Sequence, residues 1–309
     1  MAKRKGVHPL VAAATAVPLA IGLLSPKTPA KHHVTPTVVS DVGSVCTLPF
    51  DSIKQHHPID DSCGLDGAAQ SDTPQSAQND AKNNLCSTGT PVNIDFDVLR
   101  QLQQDAAKPG SGITFGGDSQ LPKDRSVLRN LPTKAGALSE GDVVRIAAFV
   151  IDAHGSNLSS GESVNCKQHG AESNDIHIVL GENSPSDDEC SSVTAEMSPH
   201  FRPDVWAPTI LNQHNAHLYR FTGQLFFDAS HRPCSGGKGS PKRSSLWEVH
   251  PVYGVDICTD THNNCKVDTD ENWISLAEQE GEVPSETRLW LPDEISREFG
   301  AGSRHSRTP

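Results

Sequence analysis

Between residues 138 and 259, apolar and polar positions alternate in several short runs, the period of a strand with one face on a core. The first run, Val143 to Ile151, follows the turn Glu140-Gly141-Asp142 and is almost continuously apolar. The second, 174–180, sets Ile176, Ile178 and Leu180 on one side and Asp175 and His177 on the other. The third, 192–197, alternates in the same way and carries Glu196 among polar positions opposite Val193, Ala195 and Met197. The fourth, 217–229, places Tyr219, Phe221, Leu225 and Phe227 against Arg220, Thr222 and Gln224. In the fifth, 246–257, Trp247, Val249, Tyr253, Val255 and Ile257 share a parity opposite Glu248, His250 and Asp256. Between the third and fourth runs, Trp206, Ile210 and Leu211 are spaced for one face of a short helix within 203–215.

Upstream, the period changes to that of helices. Asp72 or Thr73 can cap a helix that starts at Pro74, whose missing N–H costs nothing there. Ala77, Ala81 and Leu85 then fall on one face. A second helix fits 95–107 through Phe96, Leu99, Leu102 and Ala106, and Lys108-Pro109-Gly110 stops it. These segments predict a small helical cystine module over 46–107, joined by a glycine-rich connector, 108–137, to the strand-rich region, 138–265. Residues 266–309 form an acidic, then polar, tail in which a helix near 270–280 is expected to dock on the strands.

The order strand, strand, strand, helix, strand, strand resembles the OB-fold, a small five-stranded Greek-key barrel. The expected fold class is therefore mainly β: an OB-fold-like barrel with one short helix, preceded by the helical disulfide-containing module. A β-sandwich, built from the same short alternating strands, is the alternative. Gly223 within the fourth strand suits a sharply bent barrel strand, and Pro251 implies local distortion of the fifth, because proline has no ladder N–H to donate.

Cysteine and the N-terminus change the picture most. Lys3, Arg4 and Lys5 precede an apolar run from Leu10 to Leu24, too short for a membrane span and suited to a secretory signal. Thr28 and Ala30 provide small residues before a cut at Lys31, so 1–30 reads as a signal peptide and 31–45 as a linker. The expected location is secreted or periplasmic, with membrane anchoring if the signal is retained and no span after its removal. All 8 cysteines (46, 63, 86, 166, 190, 234, 258 and 265) follow the signal. Cys46, Cys63, Cys86, Cys166, Cys190, Cys234, Cys258 and Cys265 are therefore disulfide candidates in an oxidising compartment, and no Cys-x2-Cys pair suggests structural zinc. Chain order suggests Cys166 with Cys190, and Cys258 with either Cys234 or Cys265. A thiol of the first module is left to pair with the barrel region.

A formal charge of −12 with scattered Lys and Arg argues against nonspecific nucleic-acid binding. No phosphate loop, dinucleotide fingerprint, His-Glu-x-x-His or Gly-x-Ser-x-Gly motif is present, and no cofactor is predicted. The polar parity of the strands nominates His177, Glu196, Glu248 and His250 as ligand types for a divalent metal. Asp175, Arg220 and Trp247 are candidate binding residues on the same strands. A plain solvated sheet face accounts for the same alternation. Three functions follow as expectations. The first is an extracytoplasmic binding module for an oligosaccharide, peptide or protein on a barrel face. The second is a metal-dependent hydrolase, phosphodiesterase- or nuclease-like, and the third is a structural envelope or surface protein.

Overall fold

The computed structural model describes residues 63–281 except 86, 88 and 201. The signal and linker, Cys46, Cys86 and the end of the tail lie outside the described residues. Helix α1, Pro74–Lys82, is capped by Thr73 through a reciprocal bond with Ser76. It is followed by strand β1, Val92–Ile94, and helix α2, Phe96–Ala106, which is capped by Asp95. A hairpin of β2, Leu131–Thr133, and β3, Gly136–Leu138, leads into the barrel.

The barrel strands are β4 (Val143–Gly155), β5 (Ile176–Gly181), β6 (Val193–Met197), β7 (Leu218–Phe227) and β8 (Trp247–Cys258). Each falls on a run that the alternation predicts, with ends that differ by up to four residues; β5 starts at Ile176, so Asp175 closes the loop before it. They pair in the order β4-β5-β6-β8-β7, and β7 pairs back to β4. That last pairing, Val143 opposite Gln224 through Phe149 opposite Leu218, closes the sheet and overturns the sandwich alternative. Within the barrel, pairing is antiparallel except between β6 and β8, where Ala195 meets Val249 in parallel register; outside it, β1 adds to β4 in parallel. Helix α3, Pro208–Gln213, stands between β6 and β7 and is shorter than its predicted range. In the tail, a short strand β9, Trp273–Ser275, adds to β8, and one helical turn α4, Leu276–Gln279, follows. Pairing with the β8 edge takes residues that the periodicity assigns to a helix.

The apolar parity of the barrel strands points inward, with one correction on β8: the register slips past Pro251, so Val252 enters the core, while Tyr253, expected to face inward, lies outside it and accepts from Gln224. Ile146, Ile178, Ala195, Phe221 and Val249 are fully buried in one cluster, which also takes Phe96, Leu99 and Leu102 of α2 and Leu211 of α3. The two helices close opposite ends of the barrel. Ser245 and Leu246, at the start of β8, bond to Leu99 and Gln103 of α2. Tyr219, at the start of β7, donates to the carbonyl of Leu211 in α3. All described residues fall within one compact unit, and none of their helices is long and apolar enough to cross a membrane.

Among the described residues, three disulfides staple the loops: Cys63–Cys166, Cys190–Cys234 and Cys258–Cys265. The expected Cys166–Cys190 bridge is thus replaced. The loop after β4 folds onto the N-terminal segment, where Ala68 N–H donates to the Ser163 carbonyl at 2.8 Å, and Cys63 captures Cys166 there.

Candidate functional site

The outward faces of β5, β6 and β8 carry acids and histidines, as the alternation predicts, but water does not cover them. Helix α1 and the loop 156–175 form a roof. The buried side of α1 is polar, made by Ser76, Gln78 and Asn79, rather than the alanine face that its period suggests. Asn79 donates to the Asp66 carbonyl and to Ser163 Oγ, and Asn83 to the Leu65 and Val164 carbonyls. With the Cys63–Cys166 bridge, these bonds tie helix to loop. A polar sheet face demands a polar roof, since each buried donor or acceptor without a partner is costly.

Under the roof, Glu196 on β6 is the hub. His177, directly opposite it in the β5–β6 ladder, brings Nε2 to 2.7 Å from Glu196 Oε1. Lys82, the last residue of α1, places its ammonium 2.7 Å from Glu196 Oε2 and 3.1 Å from Asp175 Oδ2. His250 Nδ1 lies 3.1 Å from Glu196 Oε2 and 3.9 Å from Asp175 Oδ2. Asp175, Glu196 and His250 are each no more than 2% exposed. Glu162, from the roof loop, accepts from Asn157 and Asn165 and stands 3.5 Å from His177.

His250 is held at both ring nitrogens. Its Nε2 is 3.0 Å from the Lys82 backbone carbonyl, which can only accept, so Nε2 carries a proton. Nδ1 faces the two carboxylates. A histidine held this way, one nitrogen on a backbone carbonyl and the other turned to acids, has the usual arrangement of a metal ligand. One atom from each of Asp175, Glu196 and His250 lies within 4.8 Å of the others. Asp175 Oδ2, Glu196 Oε2 and His250 Nδ1 are buried and take no directed hydrogen bond, although the Lys82 ammonium stands against both oxygens.

Burial and charge act against each other across the cluster. Burial would lower His177, but Glu196 and Glu162 push it up to about 10, so it is protonated at neutral pH. Burial would raise Glu196, yet His177 and Lys82 hold it well below the usual carboxylate range. For Asp175, burial and the nearby Glu162 outweigh Lys82 and raise it. Glu248 is raised well above the ordinary value, first by burial and then by Glu196.

Glu248 belongs to a second network on the same face. Arg243, 1% exposed, bridges Glu248 Oε2 at 2.6 Å and Asp228 Oδ2 at 2.5 Å. Glu248 Oε1 has no hydrogen-bond partner. Gln78 of the roof helix donates to Asp228 Oδ1 at 3.2 Å, which joins the two networks to the same helix. Ser230 and His231 also meet Asp228. They do not form a relay, because His231 uses the same Nδ1 toward Ser230 Oγ (2.8 Å) and Asp228 Oδ2 (2.6 Å).

Five of the nominated residues thus gather on one face: Asp175, His177, Glu196, Glu248 and His250. Arg220 and Trp247 lie elsewhere. Arg220 pairs with Asp256 at 2.7 Å and Asp270 at 3.0 Å, over the ring of Trp273. Trp247 has the inward parity, is fully buried, and packs on Phe227 with ring centroids 4.9 Å apart. Pattern reading overlooked Lys82, Glu162 and Arg243. Lys82 at the end of a helix and Arg243 in a basic loop both look like solvated charges, and only their burial distinguishes them.

The strand distortion expected at Pro251 is present. The β7–β8 register slips on either side of Gly223, which faces Val252, while Leu225 faces Val249. A Cβ on Gly223 would lie 2.4 Å from the Pro251 carbonyl oxygen and 2.6 Å from Val249 Cγ1, so only glycine admits this approach. The slip lies beside His250 and helps set where its ring points.

Compared with known proteins, the chain matches no protein family, no curated sequence and no solved structure.

Proposed function

We propose that this is an exported metal-binding protein, whose barrel holds one divalent ion between Asp175, Glu196 and His250. The observation that carries the reading is the convergence of Asp175 Oδ2, Glu196 Oε2 and His250 Nδ1, with the other nitrogen of His250 fixed on the Lys82 carbonyl. Two carboxylates and an imidazole suit zinc, manganese or ferrous iron better than calcium, which takes six to eight oxygens. Export is supported by the basic and apolar N-terminus and fits the three disulfides. We read the closed five-stranded barrel as OB-like, a reading its strand order supports, and in that fold the faces of the second and third strands are common ligand surfaces. Here a roof covers that face, which favours an enclosed ion over an extended oligosaccharide or peptide.

Metal analysis of the purified mature protein, followed by zinc and manganese titration, tests the reading. One equivalent of ion, lost in Glu196→Gln and in His250→Ala, is expected. No ion in wild type at saturating metal would make the cluster a purely structural ion network.

His177 supports a second reading, metal-assisted hydrolysis. It is the most exposed ring of the cluster, at 16%, and its Nε2 stands 2.7 Å from Glu196 Oε1 and 3.5 Å from Glu162 Oε1, which places an acid–base group beside the ion. A metal-dependent phosphodiester or ester hydrolysis that disappears in His177→Ala, with metal still bound, would establish it.

A further inference from the structure

The oxygens that would ligate the ion already face a cation belonging to the chain. Lys82 Nζ stands 2.7 Å from Glu196 Oε2 and 3.1 Å from Asp175 Oδ2, and these two atoms belong to the triad. A metal bound by the same oxygens at the usual ~2.0–2.2 Å would stand against the ammonium in its present place. Two cations cannot share that space without strong repulsion.

We infer that Lys82 is a built-in competitor of the metal: its ammonium fills the triad when no ion is bound and swings out to solvent when an ion enters. This inference rests on the metal reading proposed above. Lys82 ends α1 and its side chain is 14% exposed, so part of it meets solvent at the rim of the roof, and a bound ion would replace the ammonium as partner of both carboxylates. Its carbonyl, which holds His250 Nε2, belongs to the backbone and need not move with the side chain. His250 thus keeps Nδ1 aimed at the triad in both arrangements.

Such an exchange has two consequences. When the ion leaves, the ammonium restores a counter-charge to Asp175 and adds to that of His177 on Glu196. The apparent metal affinity is also reduced by the fraction of molecules in which the ammonium holds the site. Ions that bind weakly to one imidazole and two carboxylates therefore fail to displace it, and the lysine acts as a threshold that admits only tight-binding transition metals.

The experiment uses the full mature chain as wild type, Lys82→Met and Glu196→Gln, with zinc as the probe. Affinity is read by competition with a chelator of known strength. The reactivity of Lys82 toward an amine-acylating reagent is read by peptide mass spectrometry, with and without zinc. The exchange predicts at least ~10-fold tighter zinc binding in Lys82→Met, since the competitor is gone. It also predicts that Lys82 in wild type is protected without zinc and acylated with it. Zinc binding of equal strength in both chains, with Lys82 equally protected in the zinc-bound wild type, would overturn the exchange and leave the metal site standing. No zinc binding in either chain would overturn both. If Lys82→Met does not fold, the wild-type acylation pattern decides alone.

Discussion

Lys82 and Glu196 meet across the boundary between roof and barrel. One ends a nine-residue helix, the other sits mid-strand on β6, and ammonium and carboxylate are 2.7 Å apart. Through this contact and the bond from His250 to the Lys82 carbonyl, helix α1 and the barrel face are joined at both a side chain and a backbone atom.

Removing that ammonium should be expensive in the absence of metal. Breaking one side of a buried ion pair typically costs about 3–5 kcal/mol, so Lys82→Met should melt well below wild type in a chelating buffer. Excess zinc should recover most of the loss, because a ligand that binds only the folded state stabilises it. Calorimetry in the two buffers checks this, and a melting point insensitive to zinc would count against it.

Arg243 should tie stability to acid pH. Burial would raise Asp228, but the guanidinium of Arg243 and then His231 hold it well below the ordinary range. A carboxylate depressed in the fold contributes stability above its unfolded value of about 3.9, and that stability is lost as pH falls through the folded value. Acid unfolding should therefore steepen below about pH 4, and Asp228→Asn should flatten that limb while lowering stability at neutral pH. Arg243→Met should cost about 3–5 kcal/mol at pH 7 by leaving Asp228 and Glu248 unpaired.

Asp80, also on the roof helix, should act with the opposite sign. Burial on one side and the neighbouring carboxyl of Asp66 push it up to about 7. A carboxyl raised in the fold adds stability that is full below about pH 4 and is lost as pH rises through 7. Asp80→Asn should leave the melting point unchanged at pH 4 and raise it at pH 8. The gain should not exceed about 1 kcal/mol, because the outer side of Asp80 is exposed and solvent screens the pair.

The Cys63–Cys166 bridge closes a span of 103 residues and pins the roof. By chain entropy a loop of that order is worth about 4–5 kcal/mol. The double variant Cys63→Ser/Cys166→Ser should lose much of this. It should also expose amides of α1 and of the loop 156–175 to hydrogen exchange before those of the barrel.

Gly223→Ala places a methyl group against the Pro251 carbonyl and Val249. Backbone cannot retreat as a flexible side chain would, so a loss of at least about 1–3 kcal/mol is expected. Metal affinity should weaken with it, because His250 precedes Pro251 on the displaced strand. Urea unfolding and zinc titration of the same variant check both effects.

Alternation in the sequence was enough to place all five barrel strands and the parity of Asp175, His177, Glu196, Glu248 and His250. A strand repeats every two residues, so an inward Ile178 and Ala195 oblige His177 and Glu196 to face outward. Which outward residues meet was decided only by the closed pairing order, which sets β6 between β5 and β8. The sequence could not show that this face is roofed. A polar outer face and a polar helix each read as solvated by themselves, and only their burial against one another turns Lys82 and Arg243 from surface charges into the centre of a site. Disulfide partners likewise depended on where the loop 156–175 folds, since bridge formation requires proximity in space and local spacing encodes none of it.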